Sequence, residues 1–258
     1  MQLRRFWRLV DEMARMALKA DASRFYLSYL WWILEPLLYV AVFYAVFEVV
    51  LQNRHADFLV FLMCGKLTYV WFSKSVIHAS RSIVASKGLI SQLDLPKALF
   101  PLAVIQEGLY RQAAVFGLLF VFLFFRGYAP TLEWLWLLPV MLVNYLMIVA
   151  ASLLGALLVC AVFDFMMLIS LGMIFLLFTS GIFWDVRDLP DPAMTDLVLR
   201  LNPVAFIVAA YRQILIAGAA PAVVHLAVLG FAFAVAIAVL LGVYRRFSQT
   251  IALRAITA

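Results

Sequence analysis

Six ionisable residues lie inside long apolar stretches of this sequence, where a charge is costly to bury. An ionisable side chain in such surroundings usually binds a substrate, relays a proton or pairs with an opposite charge. The six residues are Glu35, Glu48, Lys66, Lys74, Glu107 and Arg111.

Glu107 and Arg111 are four positions apart with the glutamate first, which favours an ion pair on one helix. In one interpretation the pair neutralises itself within a helix bundle, because a nearby opposite charge lowers the cost of burial. In the other, Arg111 or a neighbouring lysine contacts an anionic substrate. Lys66 and Lys74 have no obvious local partner, and they are the stronger candidates for such a contact.

Signatures of catalysis are missing from the sequence. It contains no G-x-x-x-x-G-K-[ST], G-x-G-x-x-G or H-E-x-x-H motif. His55, His78 and His225 are far apart, and Cys64 and Cys160 lie in apolar runs without a C-x-x-C partner. We therefore expect no catalytic residue, no metal site and no cofactor in this chain.

The elements that must position these charges are membrane helices. Of the 258 residues, 67% are hydrophobic and 13% charged, and the mean hydropathy is +1.05. A soluble protein has about half apolar and a quarter charged residues, so this composition indicates an integral membrane protein. The net charge of +6 fits basic cytoplasmic loops better than nucleic-acid binding, because no basic stripe stands on a polar fold.

The apolar runs predict an all-α domain over 1–258 with six transmembrane helices. Asp164 marks a tight turn within the nearly unbroken run 132–184. Between the fifth and sixth spans, residues 185–221 predict external re-entrant helices, with an ordinary loop as the alternative. Between the second and third, residues 81–97 form a cytoplasmic loop. The spans are 30–51, 58–80, 98–125, 132–162, 165–184 and 222–244.

Residues 3–19 have the periodicity of an amphipathic helix with a basic outer face, and this helix either lies on the membrane or packs on its own protein. Arg4 and Arg5 are not followed by an apolar segment, so we expect no cleaved signal peptide. The positive-inside rule places both termini in the cytoplasm. On that side lie Arg4, Arg5, Arg8, Arg15, Lys19, Arg24, Arg81, Lys87, Lys97, Arg245, Arg246 and Arg254, against Arg54, Arg126, Arg187, Arg200 and Arg212 outside.

Aromatic residues make up 15% of the chain. Many of the tryptophans lie near the ends of predicted spans, where interfacial belts form in any case. Aromatic faces can also line a conduit and stack on sugar rings. The candidates for a channel wall are Tyr29, Tyr39, Phe43, Tyr44, Tyr69, Phe72, Tyr110 and Phe116.

Three segments resemble one known family in order and spacing. SRFYLSYLWWILEPLLYV (23–40) resembles the start of the first span in ABC-2 type polysaccharide-export permeases, the membrane subunits of O-antigen, capsule and teichoic-acid exporters. SKGLISQLDLPKALFPLAVIQEGLYR (86–111) looks like the coupling loop and third span of that family. LNPVAFIVAAYRQIL (201–215) is similar to its Asn-Pro segment before the last span.

The resemblance implies a homodimer in the cytoplasmic (inner) membrane, bound to two copies of an ABC ATP-binding subunit that carries the ATP and Mg²⁺. Residues 1–22 would form an interface helix and 81–93 a coupling helix. The substrate would be a polyprenyl-diphosphate-linked glycan. The coupling contacts to the ATPase would be Ser86, Lys87, Gly88, Leu89 and Ile90, and the gate for the lipid diphosphate would include Arg24, Phe25 and Tyr26.

One position departs from the family pattern. The family often has Arg-Asp after the fourth span, whereas this chain has Phe163-Asp164, so a coupling role for that arginine does not transfer. Other functions remain open alternatives: an ABC-2 permease for a drug or small lipid, a membrane-embedded glycosyl- or acyltransferase, and a proton-coupled carrier. A transferase needs clustered polar catalytic residues, and a carrier should show an internal repeat.

Overall fold

The apolar composition is realised as a bundle of helices. The computed structural model describes residues 3–24, 28–46 and 57–257, and every regular element in these ranges is helical. Short 3-10 turns at Leu132–Trp136 and Val186–Asp188 precede α6 and α8. The helices are α1 (Leu3–Arg24), α2 (Ser28–Tyr44), α3 (Phe58–Ala85), α4 (Lys87–Gln92), α5 (Leu99–Phe125), α6 (Leu137–Ala161), α7 (Phe165–Thr179), α8 (Pro192–Leu201), α9 (Pro203–Leu215), α10 (Val223–Arg246) and α11 (Ser248–Thr257).

Helix α3 lies at the centre of the bundle and packs against α5, α6, α7 and α9. Small residues allow two of these close approaches. A methyl group on Gly155 of α6 or on Gly108 of α5 would collide with the hydroxyl of Ser80 or Ser75, respectively, on α3. Small side chains at contacts are typical of membrane helices, which associate through close backbone packing.

Four helical stretches among the described residues are long and apolar enough to cross a membrane. They contain α3, α5, α6 and α10. The pair α8 and α9 would make a fifth if counted together, but the two helices meet at an angle of 108°. Helix α7 is apolar but only 15 residues long. The apolar helices agree with the membrane prediction, while the number of six spans stays a prediction.

The bend between α8 and α9 is fixed by Asn202. Its side chain caps α9 by accepting hydrogen bonds from the backbone N–H groups of Val204 and Ala205, at 3.1 and 3.2 Å. The side-chain amide also donates to the hydroxyl of Ser180, 3.0 Å away, just beyond α7. Pro203 occupies the first position of α9, where its missing N–H costs nothing.

Arg212 ties α9 to the connection after α7 and to the start of α3. The buried guanidinium donates to the carbonyls of Phe61, Gly181 and Ile182, at 3.1, 2.6 and 2.8 Å. It also lies 3.3 Å from the ring centroid of Phe61, a cation–π contact. These contacts are all with the protein's own backbone and the Phe61 ring, so this charge anchors the segment that the sequence predicts to be re-entrant.

Helix α1 packs along α5 through its apolar stripe. Val10 and Ala14 are fully buried, while Phe6, Leu9 and Met13 are partly buried against the core. The apolar face of this amphipathic helix therefore contacts its own protein, which is one of the two placements its periodicity allows.

The helix α11, which follows α10, packs against both α4 and α6. Ile251 and Ala255 are buried there, and the Sγ atom of Cys160 lies 3.4 Å from the carbonyl of Ile251. Arg254 donates to the carbonyl of Ala161 at the end of α6, at 3.2 Å. Helix α4 therefore has a structural support on its inner side.

Candidate functional site

A pocket of about 130 Å³ lies between α2, α3 and α5. Its wall on α3 consists of two adjacent rows of residues, each with a spacing of four, which share one face of that helix. Its wall on α5 has the same character, with spacings of three and four. The lining residues with ionisable side chains are Glu35 on α2, Lys66, Lys74 and His78 on α3, and Glu107 and Arg111 on α5.

The pocket brings together five of the charges that the sequence places in apolar stretches. These are Glu35, Lys66, Lys74, Glu107 and Arg111. They come from three different helices, α2, α3 and α5. Glu48 lies outside the described residues. A cluster of this kind neutralises most of its own charge, yet three of its five charges are positive.

Ion pairs join the pocket across helices. Lys74 pairs with Glu35, which connects α3 to α2. Arg111 pairs with Glu107 on its own helix, as their spacing predicts, and also with Asp21 on α1. The side chain of Glu107 is 17% exposed and that of Arg111 33%, so water still reaches the group. Lys74 and Arg111 therefore have carboxylate partners and remain accessible to ligands.

Lys66 lies at the opposite end of the pocket from His78. Its ammonium group is 5.7 Å from the ring centroid of Tyr39, within the range of a cation–π interaction. Tyr39 is exposed on α2 and lines the pocket beside Pro36. An aromatic ring and a cation thus share one end of the site.

Two further residues of the pocket wall carry buried hydrogen-bond donors. Trp71 on α3 is 3% exposed and Gln112 on α5 is 5% exposed. Among the described residues, neither the indole N–H of Trp71 nor the amide N–H₂ of Gln112 has a hydrogen-bond partner. Buried donors are nearly always satisfied in folded proteins, so two together in one pocket indicate that an acceptor belongs there.

Helix α1 reaches α5 next to the pocket. The hydroxyl of Tyr110 donates a hydrogen bond to the carboxylate of Asp11. This bond holds the pKa of Asp11 below its ordinary value, and the nearby Arg15 acts in the same direction. With the ion pair between Asp21 and Arg111, α1 has two polar attachments to the helix that carries the pocket.

The predicted channel aromatics fall into different environments. Tyr39 and Tyr44 are exposed on α2. Tyr69, Phe72 and Phe116 are buried inside the chain; Tyr69 donates to the carbonyl of Met173 on α7. Phe116 packs against the rings of Trp71 and Tyr211, with centroids 5.9 and 5.8 Å away. A role in a channel stays a prediction for all of them, and Tyr110 contacts α1.

The structure describes the predicted gate only in part. Phe25 and Tyr26 lie outside the described residues, and so does the side chain of Arg24. The side chains of two channel candidates, Tyr29 and Phe43, also lie outside them.

The predicted coupling residues lie at the junction of α3 and α4. The carbonyl of Ser86 accepts hydrogen bonds from the backbone N–H groups of Leu89 and Ile90, both at 3.0 Å, which starts α4. Ile90 is buried, whereas Lys87, Gly88 and Leu89 are exposed. Helix α3 continues to Ala85, so the segment outside it is shorter than the predicted 81–93.

Sequence reasoning did not single out Asp21, Trp71, His78 or Gln112 as parts of the charged site. The four-residue spacing from Lys66 through Lys74 to His78 is a signal for the histidine. No comparable local signal exists for Asp21, which reaches Arg111 across 90 positions of sequence. Within the described ranges, no group of three or more His, Cys, Asp or Glu side chains is arranged to hold a metal ion.

Comparison with known proteins gives this site a context. The chain is 26% identical over 194 residues to an O-antigen export system permease protein RfbA of Klebsiella pneumoniae, covering 74% of each chain. It is 24% identical over 206 residues to the protein of the same name from Myxococcus xanthus, covering 80% of this chain and 79% of the relative. The model of the ABC-2 type transporter family matches residues 15–216. Because this match covers most of the chain, the chain belongs to the ABC-2 type transporter family.

Proposed function

We propose that this chain is the channel-forming permease subunit of an ATP-driven exporter of a polyprenyl-diphosphate-linked polysaccharide, of the O-antigen or capsule type. As an ABC-2 permease it is a transport subunit rather than an enzyme, and it works with an ABC ATP-binding partner. The observation that carries the choice of substrate is the set of relatives named as O-antigen export permeases, matched over about three quarters of their length.

The exposed part of α4 supports a docking role toward the ATPase. Ile90 holds the helix against the bundle, while Lys87 and Leu89 face outward. Because α4 also packs against α11, a displacement of α4 would move the bundle with it. Both termini and α4 lie on the cytoplasmic side in this proposal.

A second copy of the chain would complete the channel. Helix α7 supports this arrangement, because its large apolar side chains are exposed in the single chain and need either lipid or a partner. They include Met167, Leu168, Leu171, Ile174, Phe175 and Phe178. The seam would form between α2 of one copy and α7 of the other. The glycan would pass along that seam, with its diphosphate recognised near Arg24, Phe25 and Tyr26.

Movement would begin at the ATPase. Closure of the ATP-binding subunits, two per transporter, would displace α4 and α1 and open the seam. Helix α1 is attached to α5 by Asp11 and Asp21, so its displacement would also act on the charged pocket.

The test is co-expression with a candidate ABC ATP-binding subunit from the same organism, followed by co-purification and an export assay with lipid-linked polysaccharide in membrane vesicles. We expect a stable complex and ATP-dependent export. Leu89→Ala should weaken ATPase binding, whereas Leu201→Ala, an equally simple change at an exposed leucine of α8, should not. A chain that never binds the ATPase, or a complex that moves no lipid-linked glycan, would refute the proposal.

A further inference from the structure

We propose that the pocket between α2, α3 and α5 is a binding site for the phosphate or diphosphate group of a membrane lipid. The lipid is the polyprenyl diphosphate if the proposed function holds. The site is distinct from the predicted gate at Arg24, and its ligands would be Lys66, Lys74 and Arg111, assisted by Trp71 and Gln112.

The charge and size of the pocket suit a polyatomic anion. Three positive side chains line it, and Arg111 offers the planar fork that matches phosphate oxygens. The volume of about 130 Å³ is roughly ten times what one water molecule needs. A cavity of this size admits a phosphate group, not merely a bridging water.

The unpaired donors are an independent argument for an anion. The N–H of Trp71 only donates, and both it and the amide N–H₂ of Gln112 are buried without a partner among the described residues. Both side chains are more than nine-tenths buried, and an unsatisfied donor at such a depth lowers the stability of the folded protein. Phosphate oxygens accept several hydrogen bonds at once, so one ligand would satisfy both donors and contact the cations.

The carboxylates of the pocket would act as exchangeable partners. Glu35 pairs with Lys74, and Asp21 and Glu107 pair with Arg111. Two of these carboxylates belong to α1 and α2, helices distinct from those that carry the cations. Arrival of a phosphate would compete with them, so binding would loosen α1 and α2 from the bundle.

The position of the pocket favours a lipid over a soluble anion. Arg111 pairs with Asp21 near the C-terminal end of α1, the basic helix that the positive-inside rule places on the cytoplasmic face of the membrane. From there the pocket extends along α3 toward Lys66, eight residues or about 12 Å from Lys74. A lipid phosphate at the headgroup level would thus meet the Arg111 end first.

The experiment measures binding to the purified chain, both alone and in complex with an ABC ATP-binding subunit. The probe is undecaprenyl diphosphate, titrated by native mass spectrometry in neutral detergent, with phosphatidylglycerol and inorganic pyrophosphate in parallel arms. Lys66→Gln should weaken binding about ten- to a hundredfold. Glu35→Gln should tighten it several-fold, because Lys74 then has no carboxylate to give up. Lys66→Arg, which keeps the charge, should stay within a few-fold of the wild type.

The matched control is Arg126→Gln. Arg126 also forms an ion pair, 3.0 Å from Asp57, but at the far end of α5 from the pocket. Unchanged affinity in both Lys66→Gln and Glu35→Gln would overturn the proposal, as would pyrophosphate that binds as tightly as the two lipids. If phosphatidylglycerol binds with the same affinity as undecaprenyl diphosphate, the result would support the phosphate site and assign it to bulk anionic lipid. Co-purification of the ATPase is scored separately, so failure of the proposed function is recognised independently.

Discussion

Arg111, in the middle of α5, forms an ion pair with Asp21 near the C-terminal end of α1. The same guanidinium contacts Glu107 one turn away and lines the charged pocket. The amphipathic helix is thus joined directly to the site in the bundle. If an ATPase moves α1, this ion pair transmits the movement to the pocket.

Asp21→Asn tests that connection. We expect export to fall several-fold while the free energy of unfolding changes by less than about 1 kcal/mol, because the pair is partly exposed to solvent. ATP hydrolysis should continue, which separates lost coupling from lost assembly. The measurements are export in vesicles, ATPase rate and thermal unfolding. Asp196→Asn removes an exposed ion pair with Arg200 on α8 and should leave all three unchanged; parallel loss in both variants would contradict the coupling role.

The hydrogen bond from Tyr110 to Asp11 predicts a pH-dependent attachment of α1. Its effect lowers the pKa of Asp11 in the folded protein. The stabilisation is therefore present above the unfolded pKa of about 3.9 and is lost as the pH falls through the lower folded value. Tyr110→Phe should lower the Tm at pH 7, and the difference from the wild type should shrink below about pH 4.

Tyr145→Phe is the control for this experiment. The Tyr145 hydroxyl donates to the side-chain oxygen of Gln106, 3.4 Å away, rather than to a carboxylate. Its removal should therefore produce a Tm difference that does not depend on Asp ionisation. A Tyr110→Phe difference that is constant from pH 7 to pH 3 would disprove the role of Asp11.

Removal of the Arg212 side chain should be strongly destabilising. Arg212→Met would leave three carbonyls without their donor, and we expect a loss of at least about 2 kcal/mol in unfolding free energy. Arg212→Lys should recover only part of the lost stability, since an ammonium group cannot reach all three carbonyls with the geometry of the guanidinium. Arg187→Met, which removes an exposed hydrogen bond to Gln213, should cost under about 1 kcal/mol. Chemical unfolding in detergent ranks the variants.

The contact between Gly155 and Ser80 predicts a compensating pair. Gly155→Ala should destabilise the protein by about 1–3 kcal/mol through overpacking between α6 and α3. Adding Ser80→Ala should restore much of the loss, because it removes the hydroxyl that the new methyl group meets. Gly172→Ala on α7, where the methyl group would meet nothing within 4 Å, should be neutral or slightly stabilising. Additive effects of the first two changes would show that these residues do not touch.

Local sequence patterns were enough to predict several elements. The apolar runs indicated a helical membrane protein, since burial of that much apolar surface in a chain of this size requires lipid. The period of residues 3–19 indicated the amphipathic α1, and the spacing of Glu107 and Arg111 indicated their ion pair. Each of these depends on residues within one or two turns, where the geometry of the helix fixes which side chains are neighbours.

Tertiary structure alone decided how the intramembrane charges combine. Lys74 has no partner near it in sequence and pairs with Glu35, 39 positions away. Arg111 finds Asp21 in the same way, and Trp71 and Gln112 become the walls of a common pocket. The reason is that uniformly apolar helices carry little information about their rotation, so the face each helix presents is set by close packing at contacts such as that of Gly155 with Ser80.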